Sequence, residues 1–457
     1  MIRVCKNMLV PINKIPPEIL TLIPDFWDTR NRDQDVITLT HVCHSWREIF
    51  VSRSSLWTNF NCSDEEKTRV YFKRSKSSPI NLSLDLSKGI LPCDPIFHII
   101  PHATGRLKSL FVKGLAGDME VVTSHLSHPA PLLERLSIHS DPRLAHRAPV
   151  LPSALFNGDA SSLRMLCLEF VHTELPWRNM VNLTSLALTD IPSGAVSTGR
   201  LLDFFESAPY LEEVKLWCAT PKAAIQGGRL VSLACLKSMD IIADTPCSAL
   251  LDHLLIPAGA KLEIRADRLN SSPMREHLPR SLDNLKNFSD FTAIELYPNE
   301  YYQGTKFSGP NGHVNITLRD HRTELIFEFL AKFDTSKTER LIINRGYLLS
   351  RESLYRALLP MKDLRTLTLS KCNLPYTPIH ALEPCSSEVV VCPKLEELVL
   401  MPHPHKRIVG VIEMAAARAS RGEKLRTFRI IGGLDAVDLD VSELGKYVCN
   451  VEYGPIV

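Results

Sequence analysis

The sequence predicts an α/β protein in two unequal parts: a small all-helical module at the N-terminus and a much longer array of strand-bearing units behind it. Three observations predict it. Between Ile15 and Trp57 there are proline-opened, helically spaced apolar stripes and three tryptophans. From Pro79 onward a Leu-x-x-apolar-x-apolar pattern keeps returning. The composition is that of a globular chain, 457 residues with 44% hydrophobic and 23% charged, long enough to bury a full core without staples. Length alone accommodates about three average domains. With 53 Lys and Arg against 51 Asp and Glu, the formal charge is only +2, so no net field argues for a nucleic-acid partner.

In the helical module, Ile15-Pro16-Pro17-Glu18-Ile19-Leu20 puts proline where a helix opens, because the first turn has no use for the N–H that proline lacks. Ile19, Leu20 and Ile23 form a short apolar face that Pro24 ends or kinks. After a polar stretch, Asp35 is placed to cap a second helix with the stripe Val36, Leu39, Val42 and Cys43. Trp46, Ile49 and Phe50 continue that stripe past a break expected near His44-Ser45, and Leu56-Trp57 closes the block. So small a bundle cannot cover all of this apolar surface by itself. Ser63-Asp64-Glu65-Glu66 then reads as a capping box opening a helix to about Arg74. Lys73, Arg74 and Lys76 stand at the end where the helix dipole favours cations.

The run IPPEILTLIPDFWDTRNRDQDVITLTHVCHSWREIFVSRSSLWTNF resembles an F-box, in the version common in a large fungal protein family. The resemblance rests on the I-P-P-E-I-L opening, the V-C-x-S-W-R centre from Val42 to Arg47 and the S-L-W close from Ser55 to Trp57. It covers about a tenth of the chain, and the loop between Phe26 and Asp35 is longer and more charged than in the shortest F-boxes. What it implies is a Skp-type adaptor as partner and, through it, a cullin–RING ubiquitin ligase of the SCF type. It also implies that Ile15, Pro16, Ile19, Leu20, Leu39, Val42, Cys43, Trp46 and Trp57 pack on the adaptor or support that packing, without dividing contact from core. An unrelated three-helix bundle with core tryptophans is the plain alternative. The chain then divides into a tail at 1–11, the F-box at 12–61, a helical connector at 62–78 and the repeating region at 79–457.

Nine copies of the repeat keep leucine first, at 107, 133, 163, 183, 211, 236, 364, 395 and 425. Degraded copies start at Gly259, Phe291, His313 and Thr338, and Pro79 heads the series. The mean spacing is about 27 residues, inside the ~20–29 of leucine-rich repeats. Leu364 to Leu374 satisfies the full template L-x-x-L-x-L-x-x-C-x-L. Each unit buries its leucines only by stacking on its neighbours, so the expectation is a curved, leucine-rich-repeat-like solenoid. An α/β domain without true periodicity is the alternative. Strand alternation sends the fourth and sixth positions inward and leaves the third, fifth and seventh on the open face. That face carries the candidate target-binding residues Phe111, Glu169, Glu213, Lys215, Trp217, Asp240 and Arg429, together with Lys113, Glu397 and Met401.

Nothing readable performs chemistry. The phosphate-loop, dinucleotide, nucleophile-elbow and H-E-x-x-H motifs do not occur. His41-x-x-His44 and His403-Pro-His405 lack further ligands nearby, so neither a metal nor a cofactor is expected. The twelve cysteines include no C-x-x-C pair and read as small buried thiols. The N-terminal stretch has no continuous apolar core of a secretory signal, so the expected compartment is cytoplasm or nucleus. No run approaches the ~20 apolar residues of a membrane span. The expectation is a non-catalytic receptor that binds the adaptor at one end and an unidentified target protein along the repeats. A scaffold that binds the adaptor without delivering a target is the other reading.

Overall fold

The computed structural model describes residues 10–454 apart from 27–31, 63–64, 88–99, 142–146, 153–154, 160, 174–179, 193–195, 220–227, 244, 267–276, 289–290, 299–302, 311, 319–324, 345–350, 371–376, 384–389, 402–409 and 433–439. The chain forms two compact units, Met1–Leu211 and Glu212–Val457.

The first unit begins with three helices: α1 (Pro17–Leu20), α2 (Arg32–Thr40) and α3 (His44–Ser52). Helix α2 starts three residues ahead of the expected cap Asp35, and the corner falls at His41–Cys43 rather than at His44-Ser45. The reason is local. Arg47 Nε donates to the Thr40 carbonyl at 2.8 Å, taking up a free acceptor at the end of α2. Strand β1 (Asn59–Asn61) follows, then the connector helix α4 (Glu65–Arg74) and strand β2 (Ile80–Asp85). Ser63 and Asp64 of the expected capping box lie outside the described residues. Next come β3 (Leu107–Gly114), α5 (Ala116–Ser124), β4 (Arg135–Ser140), β5 (Met165–Glu169), β6 (Ser185–Thr189) and α6 (Thr198–Ser207).

Strands β1 to β6 stand side by side in chain order, every neighbour parallel. A parallel partner needs a crossover of about a dozen residues or more, and the spacing between leading leucines supplies it. The carbonyl just after a leading leucine holds the next unit by two N–H groups. Glu134 accepts from Arg164 and Met165 at 2.8 and 3.0 Å, and Arg164 accepts from Thr184 and Ser185 at 2.9 Å each. The first, fourth and sixth positions form the core: Leu133, Leu163 and Leu183 are buried, as are Leu166, Leu168, Leu186 and Leu188. Each such leucine contributes about 1.5–3 kcal/mol.

The second unit starts with β7 (Glu213–Trp217), β8 (Val231–Ser232), β9 (Ser238–Ala243), the short helix α7 (Ser248–Leu251), β10 (Leu254–Leu255) and β11 (Lys261–Ala266). Strands β7, β9 and β11 are parallel neighbours, while β8 and β10 pair in a separate short ladder. Then come β12 (Ala293–Pro298), β13 (Gln303–Gly309), β14 (Gly312–Leu318), α8 (Leu325–Leu330), β15 (Arg340–Asn344) and α9 (Arg351–Leu358). The unit ends with β16 (Thr366–Ser370), α10 (Thr377–His380), β17 (Glu397–Met401), α11 (Val411–Ser420), β18 (Leu425–Ile431), α12 (Val441–Leu444) and β19 (Val448–Gly454). From β15 to β19 the order is again parallel and sequential.

Between β11 and β15 it is not. Strand β11 pairs with β14, which runs antiparallel to β13; β13 runs antiparallel to β12, and β12 pairs parallel with β15. The degraded copies at Phe291 and His313 are therefore not successive units. They enclose an opposed strand and stand in reversed order. The links explain this: residues 299–302 join β12 to β13, and Gly309 pairs directly with Gly312. Such links are too short for a parallel crossover. Gly312 has φ +155, and a Cβ there would meet the Ala258 carbonyl oxygen at 2.5 Å.

Candidate functional site

The N-terminal module separates into core and rim. Leu20, Val36, Leu39, Trp46, Phe50, Leu56 and Trp57 are buried. Four residues named as adaptor candidates, Leu20, Leu39, Trp46 and Trp57, are thus internal, and the tryptophans do not wait for an external cover. Trp46 Nε1 donates to Asn13 Oδ1 at 2.7 Å, pinning the preceding turn Pro11–Lys14 onto α3. Its ring meets Phe50 edge-on at 5.6 Å. Trp57 Nε1 donates to the Phe50 carbonyl at 2.9 Å, and its ring meets Tyr71 at 4.9 Å. The Arg74 guanidinium covers the Trp57 ring at 4.3 Å, a cation–π contact.

The rim consists of what remains. Val10, Ile12, Ile19, Leu22 and Val42 are between 41% and 52% exposed. Pro16 is exposed, and Ile15 and Cys43 are half-buried. Five apolar side chains of this module are thus left open to solvent. Ile12 and Leu22 belong to that rim, and helical spacing does not single them out because both lie just outside it.

Among the described residues the open strand face carries polar clusters in both units. In the first, Phe111, Ser137 and Cys167 occupy one row across β3, β4 and β5, and Lys113, His139 and Glu169 the next. His139 Nδ1 lies 2.7 Å from Glu169 Oε2, and its Nε2 lies 2.9 Å from Ser137 Oγ. The Phe111 ring tilts against the imidazole at 5.1 Å. Hydrogen bonding to Cys167 and then to Glu169 outweighs desolvation and raises the His139 pKa above 6.5. Phe111 and Glu169 therefore meet through His139.

In the second unit, Lys215, Asp240 and Glu263 share a row, and Trp217, Ile242 and Arg265 the next. Trp217 is half-buried because it leans across its neighbours: Nε1 donates to Asp240 Oδ2 at 3.1 Å, and Arg265 stands 5.8 Å from the ring centroid. Arg265 Nη2 grips both Asp240 oxygens at 3.2 and 3.0 Å. Glu213 and Lys215 are exposed. Arg429 is flanked by Glu397 at 3.2 Å and Glu452 at 2.8 Å, and these carboxylates raise its pKa, the hydrogen bond to Glu452 first. Arg265 and Glu452 escaped sequence reading because they sit on strands whose units lack a leading leucine. On β16 and β17 the face is closed rather than open, with Thr368, Ser370 and Val399 buried.

Among the described residues no group of three or more His, Cys, Asp and Glu could hold a metal. His41 and His44 are both exposed, and His403 and His405 lie outside the described residues. Among the described residues no cysteine is in a disulfide, and of these thiols Cys62, Cys247 and Cys392 are buried while Cys235 and Cys449 are exposed. Burial pushes the three buried thiols up to about 12, so they are inert. Among the described residues no helix is long and apolar enough to cross a membrane.

Comparison with protein families places an F-box-like domain at residues 12–63. That segment coincides with the three-helix module and its exposed rim. Comparison of the chain with curated proteins gave no match.

Proposed function

We propose that this chain is the substrate-recognition subunit of an SCF-type ubiquitin ligase, non-catalytic in itself. F-box domains in general bind Skp-type adaptors, and here the rim of Pro16, Ile19 and Val42, flanked by Ile15 and Cys43, is the surface offered to one. The region from 79 to 457, leucine-rich-repeat-like in its sequential parallel stretches and interrupted between β11 and β15, captures a target protein on its open strand face. The mechanism is positional: the adaptor fixes one end to the ligase, and the target's lysines are held at high effective concentration near the charged ubiquitin. The observation that carries the reading is the coincidence of the F-box-like segment with a module that leaves Ile12, Ile19, Leu22 and Val42 exposed around a buried core.

The test is co-purification with a recombinant Skp-type adaptor. Ile19→Asp with Val42→Asp is expected to weaken capture at least 100-fold without changing the thermal unfolding midpoint, since both side chains already face water. Undiminished capture by this variant sinks the assignment. Adaptor recovered without cullin from cells would favour the scaffold reading instead.

A further inference from the structure

Arg106, half-buried, closes the turn Thr104–Arg106 that leads into β3. Its Nη1 donates to the carbonyls of Lys76 and Ser78, and its Nη2 to the Phe72 carbonyl at 3.3 Å. The same guanidinium lies 4.4 Å over the Phe72 ring. One side chain thus takes up backbone acceptors along the end of connector helix α4 and the four residues that follow it.

Those residues are also where the F-box-like module is fastened. Lys76 Nζ donates to the Ser52 carbonyl at 3.3 Å, and the hydroxyls of Ser54 and Ser78 bond at 2.7 Å. Arg53 donates to the Thr21 carbonyl, so the end of α3 is tied back to α1. On the other side, the Asn81 N–H reaches the Thr58 carbonyl at 2.8 Å as β1 pairs with β2. The segment Lys76–Ser78 is therefore gripped from the module by Ser52 and Ser54, and from the sheet by Arg106. Charged donors to several carbonyls, with a planar guanidinium stacked on a ring, form a geometry that lysine cannot reproduce.

We infer that Arg106 is a positioning residue, locking the F-box-like module at one orientation to the strand face of its own unit. The consequence for ubiquitin transfer rests on the ligase reading above; the locking itself does not. A receptor that works by position needs a fixed separation between adaptor and target, and a loose connector would spread the target's lysines over a larger volume.

The experiment uses the full chain carrying two non-cysteine spin labels, at Glu48 on α3 and Arg135 on β4, both exposed. Pulsed distance measurement is expected to give one narrow distribution for the wild type and at least a twofold wider one for Arg106→Met. Far-UV circular dichroism and adaptor capture are expected to stay unchanged. Arg106→Lys is expected to restore little of the width. Should Arg106→Met fail to fold, Ser54→Ala with Arg106→Lys carries the same expectation. An unchanged width in the folded variant overturns the inference. In a reconstituted ligase, the chain's own lysines serve as the acceptor probe: a restricted set is modified in the wild type, and a broader set in Arg106→Met. An identical lysine pattern despite a widened distribution overturns the positional consequence. Absence of any transfer by the wild type would count against the ligase reading, with the distance measurement still judging the lock.

Discussion

The ladder from β2 to β6 and the segment from β11 to β15 obey different rules although both consist mostly of parallel strands. In the first, leucine follows leucine across the core, and the units succeed one another in chain order with every strand parallel to the last. In the second, an antiparallel strand is wedged in and the core turns aromatic. Phe307 on β13 lies 4.6 Å from Phe291 and 4.6 Å from Phe333, and Phe288 stacks on Phe333 at 5.5 Å. Repetition makes the first region tolerant, since each contact has several equivalents. The second has one centre, and short links dictate its strand directions.

The sharpest way to break that contrast is to remove the centre. Phe307→Ala is expected to cost about 3–5 kcal/mol, read as a shift in the urea midpoint. The same truncation of Leu168 on β5 is expected to fall nearer the lower end of the ~2–5 kcal/mol range for leucine, because layers on both sides remain. Equal losses would erase the distinction. Next in size is Gly312→Ala at the mouth of the β13–β14 hairpin. A methyl group there meets backbone at 2.5 Å and the φ of +155 is unfavourable for alanine. The expected cost is about 1–3 kcal/mol, with the parallel strands retained by circular dichroism. A neutral substitution would mean that the hairpin does not depend on this close approach.

The smallest effect belongs to the regular ladder and depends on pH. His139 has a raised pKa in the folded chain, so its pairing stabilises fully below pH 6.5 and is lost as pH rises through the folded value. His139→Gln is expected to lower the thermal midpoint at pH 5.5 and to match the wild type at pH 8.5. A deficit independent of pH would assign His139 a packing role alone.

Much of this was legible in the amino acids. Leading leucines at 133, 163 and 183 each stand two residues ahead of a strand, because position-specific burial needs leucine there and nothing else in the unit competes. Strand β13 was not legible. Its sequence QGTKFSG has no leucine template, and its direction follows from link length rather than from composition. Nor could the stripe of the N-terminal module be sorted, since Ile19 and Leu20 are adjacent and similar, yet one is 52% exposed and the other 1%.

Arg418 shows the same division between local and long-range information. On helix α11 it reads as a solvent-facing cation, but it is fully buried and donates to the carbonyls of Val391 and Cys392 at 2.9 and 3.0 Å. Burial lowers its pKa, and the charge is held by these backbone acceptors 26 and 27 residues away together with Glu423 at 3.8 Å. The sequence by itself determined what recurs at short range: helix openings at proline, the alternation of buried and open positions along each strand, and the order of motifs from Ile15 to Trp57. Tertiary structure alone decided which apolar residues of the rim face water, which way β13 runs, and which charges on the strand face meet. Those outcomes depend on neighbours far apart in the chain, and hydrophobicity, being non-directional, does not specify them.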